Sequence, residues 1–446
     1  MTLRGIWGLL FIVVCGVMPQ AFAANATQNV DVSATYPSPC QGCTQPSYSA
    51  PTTAGYGQHY VMQPTSPSDY LVVLLSASGT KPSGYTKFLN EAGVGKTTAP
   101  SFSGGSYTVN YASIGLAYMD GTSSTTTVGT LCSNFTNEDE CYTQMRGETV
   151  FGRNAVYPGW ASGRRYNADA FNGSGSGATT NPPVSQADSV VNRLVLVLDD
   201  LCWHAKDSNN PNPSYWCRFL LDDTNSNSAK IDADNCYAGP SGSSSGGSSG
   251  AYGCYVSPHD NNSGSSGGNY GKVDYRRKVV PDWSHIIIAG HSQGGGNAAF
   301  LAMYLPSGVP VHRALLFSSP EDNVPGSSGG SIQPASWITG TTSTPLASFW
   351  GLRNSHEGSL GDRVDSNWSQ LGKATGSSGI GGSAGSVESD VGNGSTTPIS
   401  GSQIYHVDSP NDDALANHCG TAMNIDHVAG VVSTWDWMLT GGASSQ

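Results

Sequence analysis

Residues 71–75 (Leu-Val-Val-Leu-Leu) and the end of 283–289 (Ile-Ile-Ile-Ala) are apolar at every position. Short unbroken apolar runs mark strands buried on both faces, as in a parallel sheet covered by helices. The pattern predicts strands over 71–75 and 283–289, and further strands over 112–118, 313–318, 346–352 and 403–407. Between them the period changes. Val190, Leu194, Val197, Leu198 and Leu201 recur at helical spacing behind Asp188-Ser189, which can cap a helix. Residues 297–305 read as a helix stopped by Pro306, and 425–439 as a final helix. Buried strands alternating with helices predict an α/β protein on a mainly parallel sheet.

Two stretches interrupt this alternation. Residues 205–275 contain Gly/Ser clusters at 239–250 and 263–268, and 374–401 is similar. Both are expected to be surface insertions, flexible where no disulfide pins them. Residues 24–69, rich in Pro, Ser, Thr and Tyr, read as an extended lead-in. The folded domain is therefore expected over 70–440.

Ahead of the lead-in, Arg4 precedes an apolar run from Ile6 to Met18, followed by the small-x-small site Ala21-Phe22-Ala23. The run is shorter than the roughly 20 residues of a membrane span. Residues 1–23 are read as a secretory signal peptide. A lipoprotein reading through Cys15 is disfavoured by bulky Val14. The mature chain is expected to be soluble, secreted or periplasmic, with no stable membrane anchor. Export permits disulfides. Neighbour pairing would join Cys40–Cys43, Cys132–Cys141, Cys202–Cys217 and Cys236–Cys254, leaving Cys419. Cys40-Gln-Gly-Cys43 lacks the βα setting of a redox motif and reads as a staple. A formal net charge of −12 without a basic patch argues against nucleic acid as a partner.

Gly290-His-Ser292-Gln-Gly294 fits the nucleophile elbow Gly-x-Ser-x-Gly. The bare pattern recurs around Ser244, Ser248, Ser266, Ser328 and Ser383, because the chain is full of Gly and Ser. Only Ser292 follows a buried strand and precedes a helix. An exposed hydroxyl on a sharp turn needs that setting, with small residues where strand and helix backbones meet. His291 reads as a packed neighbour.

A serine needs a base. Of the five histidines after Ser292, His418 lies between the last predicted strand and the last helix. His427, inside that helix, is the alternative. The acid that orients the base should end a strand between them. Glu357 after the 346–352 strand is preferred to Asp322 and Asp362. An oxyanion needs the Gln293 N–H and a second donor from an early loop. Thr80, in Ser76-Ala-Ser-Gly79-Thr80, is the expected donor.

Several stretches resemble, in the same order, a family of secreted bacterial α/β-hydrolases of the serine esterase and lipase type. They are Leu74-Leu-Ser-Ala-Ser-Gly-Thr80, Gly115-Leu-Ala-Tyr118, Cys132 to Cys141, Asn192-Arg-Leu194, Trp283 to Gly296, Leu316 to Asp322, Phe349 to Glu357, Asn367-Trp368, and His418 before the last helix. The run Ala289 to Gly296 is also similar to the elbow of cutinases and polyester hydrolases. The resemblance implies the α/β-hydrolase fold and a triad of Ser292, His418 and Glu357.

The expected activity is hydrolysis of carboxylic esters through an acyl-enzyme. Alternatives are amide or peptide hydrolysis by the same triad, and a non-catalytic secreted binding protein. Asp426-His427 lacks a metal-ligand spacing such as His-Glu-x-x-His, so neither a metal nor another cofactor is expected.

Overall fold

The computed structural model describes residues 27–31, 58–62, 67–93, 109–118, 132, 137–152, 189–204, 214–222, 255–256, 278–306, 308–326, 332–376, 379–380, 389–390, 403–407, 414–423 and 429–441. Its central sheet has nine strands in chain order: β1 (Thr27–Asp31), β2 (Gln58–Met62), β3 (Tyr70–Leu75), β4 (Tyr111–Leu116), β5 (Ile286–His291), β6 (Arg313–Phe317), β7 (Phe349–Asn354), β8 (Ser389–Asp390) and β9 (Ile404–Val407). Across the sheet the order is β1-β2-β4-β3-β5-β6-β7-β9-β8. The seven strands from β4 to β8 are parallel, and β1 and β2 add antiparallel to one edge. The expected α/β architecture is present.

Alternation along β3 and β5 explains why both strands are apolar throughout. Leu71, Val73, Leu75, Ile286 and Ile288 face one buried layer. It is built with helices α2 (Glu138–Phe151), α3 (Val190–His204) and α4 (Gln293–Tyr304). Val72, Leu74, Ile287 and Ala289 face the other, built with α1 (Thr86–Gly93) and α7 (Ala429–Thr440). A strand covered on both faces has no polar side to show.

Several expectations shift at their edges. β5 starts at Ile286, because Trp283–His285 is a single 3₁₀ turn, and the strand continues through Gly290 and His291. Likewise Leu346–Ser348 is a 3₁₀ turn ahead of β7. Helix α4 begins at Gln293 rather than 297. Three glycines argue against helix by propensity, but close packing demands them: a Cβ on Gly294 would collide with the Leu75 and Ser76 carbonyls. Helix α2 has no apolar stripe to betray it. It is buried on several sides and carries Thr143, Gln144, Arg146 and Glu148 inside. Its start is marked instead by Asn137, whose side chain accepts from the Glu140 N–H at 3.1 Å, with Glu138, Asp139 and Glu140 at the positive end of the helix.

The lead-in contributes β1 and β2, so the sheet reaches ahead of residue 70. The 205–275 stretch is not loop alone. Its strands Leu220–Asp222 and Tyr255–Val256 pair with Lys278–Pro281 in a small antiparallel sheet. Cys132–Cys141 and Cys202–Cys217 are disulfide-bonded as neighbour pairing predicts. Cys40, Cys43, Cys236 and Cys254 lie outside the described residues, as do residues 1–23 and His427. Among the described residues no helix is long and apolar enough to cross a membrane.

Candidate active site

Register brings the carboxyl ends of the central strands to one rim. Leu75 pairs with Gly290, His291 with Phe317, and Phe317 with Leu352. Each residue singled out for catalysis follows one of these ends or the end of β9. Ser292 sits between β5 and α4 at φ 53° and ψ −121°. A non-glycine residue with positive φ is uncommon and costs on the order of 1–3 kcal/mol, retained only where the surroundings impose it. Those surroundings are evident. The Ser292 N–H donates to the Phe317 carbonyl at 2.9 Å, and a Cβ on Gly290 would overlap the Gly294 carbonyl. The turn is held closed from both sides, leaving Ser292 half-buried. Among the described residues its hydroxyl has no hydrogen-bond partner.

His418 lies in the short helix α6 (Ala414–Cys419) after β9, rather than in an open loop as the sequence suggested. Its backbone carbonyl docks onto both strands beside the serine. It accepts from His291 Nε2 at 3.0 Å and lies 3.5 Å from Ser318 Oγ. The His291 and His418 rings are 4.8 Å apart. Glu357, in the turn after β7, has a fully buried side chain and places Oε2 3.7 Å from His418 Nδ1. That separation is an ion-pair contact, longer than a hydrogen bond. Its other oxygen accepts from Ser318 Oγ at 2.5 Å and from the Asn354 N–H at 3.2 Å. Burial works against charge on His418, but the Glu357 and Glu321 carboxylates outweigh it and hold the imidazole pKa above its ordinary value.

The other candidate acids are placed elsewhere. Asp362 is exposed in the first turn of α5 (Ser359–Gln370). Asp322 is locked in a buried pair with Arg146 of α2, at 2.8 Å to Nε and 2.7 Å to Nη2, and also accepts from Trp337 Nε1 at 2.9 Å. The same guanidinium donates to the Gln293 carbonyl at 2.7 Å and to Asn297 Oδ1 at 2.9 Å. Arg146 thus braces the first turn of α4 from behind.

Thr80 needs a correction. Its N–H donates to the Ala77 carbonyl at 3.1 Å and its hydroxyl to the same oxygen at 2.7 Å, so the residue closes its own turn. The loop nevertheless meets the elbow two residues earlier, where Ser78 Oγ donates to Gln293 Oε1. The N–H groups of Ser78 and Gln293 have no acceptor among the described residues.

His291 is a packed neighbour, as its sequence position suggests. The ring is fully buried, and burial first, then the neighbouring His418, pushes its pKa down to about 3. It is therefore neutral. The His418 carbonyl can only accept, so the proton is on Nε2 and Nδ1 must accept from the Tyr85 hydroxyl at 2.9 Å. Tyr85 in turn accepts from the Ala77 N–H at 3.0 Å. A continuous chain thus ties the loop after β3 to the helix carrying His418. Tyr85→Phe leaves a buried N–H and a ring nitrogen without partners, and is expected to cost about 1–3 kcal/mol of stability. An unchanged denaturant midpoint would show that this chain carries no weight. The missed residues Ser318, Glu321, Arg146 and Ser78 have no motif around them. Only His291 had a signal, its place beside the serine.

Among the described residues no group of three His, Cys, Asp or Glu side chains is arranged to hold a metal ion. Comparison of the chain with protein-family models, with curated proteins and with solved structures finds no match.

Proposed function

We propose that the chain is an exported serine hydrolase of the α/β-hydrolase type that cleaves carboxylic esters. The observation that carries this reading is the strained Ser292 turn with the His418–Glu357 pair docked against it. The strand order around β5 and the two disulfides support the fold and the export reading. In this mechanism Ser292 Oγ attacks the ester carbonyl as its proton moves to His418 Nε2. Glu357 faces the other ring nitrogen, fixing the tautomer and stabilising the imidazolium. The Gln293 N–H and the Ser78 N–H, in place of Thr80, stabilise the oxyanion. The imidazolium then protonates the leaving alcohol, and water, deprotonated by the same ring, releases the acid.

A fluorophosphonate probe tests this directly. Folded wild-type protein is expected to be labelled at Ser292, with fluoride released, and Ser292→Ala to remain unlabelled. Equal labelling of both proteins, or none of either, rejects the proposal. Turnover of an ester beside its matched amide then separates esterase from amidase chemistry.

A further inference from the structure

The mechanism above uses one carboxylate, on the Nδ1 side of His418. A second stands on the opposite side. Glu321, in the loop after β6, places Oε1 3.6 Å from His418 Nε2. That oxygen is buried and has no hydrogen-bond partner. Nε2 is the nitrogen that must receive the Ser292 proton, and Ser292 Oγ is unengaged among the described residues. Its neighbour Asp322 already pairs with Arg146.

Resting on the hydrolase reading, we infer that Glu321 is a positioning residue of this site: its carboxylate holds the protonated imidazole of His418 by Nε2, in competition with Ser292, and so keeps the nucleophile without its base until that proton is lost. The groups facing the pair agree with this. Glu357 approaches His418 from β7 and favours its cationic form. His291 approaches from β5 and is neutral, so it neither repels nor competes. Burial above all, with Glu357 and Asp322, pushes the Glu321 carboxyl up to about 7 against the pull of His418 and Arg146. Near neutrality the two side chains therefore titrate as a coupled pair. As pH rises the proton on Nε2 is lost to water, its lone pair is released, and Ser292 gains its acceptor. Activity is expected to climb with pH through the raised His418 value.

Glu321→Gln keeps the shape and removes the charge. Two measurements decide the matter: kcat/KM for p-nitrophenyl acetate across pH, and the NMR titration of the His418 ring. The variant to wild-type ratio of kcat/KM is expected to be roughly two- to fivefold higher at about pH 7.5 than at about pH 9, from loss of one close opposite charge. The His418 titration is expected to move to lower pH. A ratio independent of pH with an unmoved His418 titration would overturn the inference, since a merely structural role lowers activity equally at every pH. Glu321→Ala repeats the comparison without an amide in the site. If wild type hydrolyses no ester, the hydrolase reading fails, and the His418 titration still judges the Glu321 contact by itself.

Discussion

His418→Ala is expected to lower kcat for a short-chain p-nitrophenyl ester by on the order of 10⁴- to 10⁶-fold, with KM little changed. The size follows from what the ring does twice. In the proposed mechanism it takes the serine proton during attack and returns a proton to the leaving group, so its loss would leave a hydroxyl that is a weak nucleophile at neutral pH. The effect should be confined to chemistry. His418 meets β5 and β6 through its backbone carbonyl, which alanine retains, so the His291 and Ser318 contacts survive. The variant is therefore expected to fold, with an unfolding midpoint close to wild type. Ester turnover within tenfold of wild type would remove His418 from the mechanism. Glu357 is expected to matter less, because in the proposed mechanism it orients the ring without touching the substrate.

The largest effect on stability is expected at a residue that the sequence offered as an acid. Asp322→Ala leaves the Arg146 guanidinium buried without its counter-charge, and also strips an acceptor from Trp337 Nε1. Breaking a buried ion pair from one side costs about 3–5 kcal/mol. Removing both charges, as in Arg146→Met with Asp322→Leu, is expected to cost less than Asp322→Ala, because no lone charge remains to be desolvated. Urea unfolding measures both. A double variant less stable than the single one would show that the contacts from Arg146 to Gln293 and Asn297 outweigh the pair itself. The same substitutions are expected to slow any catalysis, since Arg146 holds the first turn of α4, where Ser292 begins the helix.

These two residues show how far the chain can be read without coordinates. His418 was legible because its place in chain order, after the last strand and before the last helix, is a one-dimensional property. The placement of Glu357 beside that ring was legible for the same reason, from its position after a buried strand. Asp322 satisfied that description equally well. What separates the two is a guanidinium 176 positions away in sequence, carried by a helix with no hydrophobic period. Thr80 failed in a related way. Its loop was correctly assigned to the elbow, but which amide is free depends on how a four-residue turn closes, and the Ala77 carbonyl claims Thr80 itself.

Pattern along the chain determined the parallel sheet, the two strands at its centre and the serine turn between strand and helix. Each is local: side-chain period, an unbroken apolar run and glycines at fixed spacing act over a few residues, so neighbours in sequence suffice to specify them. Tertiary structure decided which carboxylate faces the imidazole, which one is spent on a buried arginine, and that a further carboxylate, Glu321, stands at the ring's other nitrogen. Those outcomes depend on distances of a few ångströms between residues far apart in the chain. Coulomb and hydrogen-bond energies change steeply over such distances, and no local pattern encodes them.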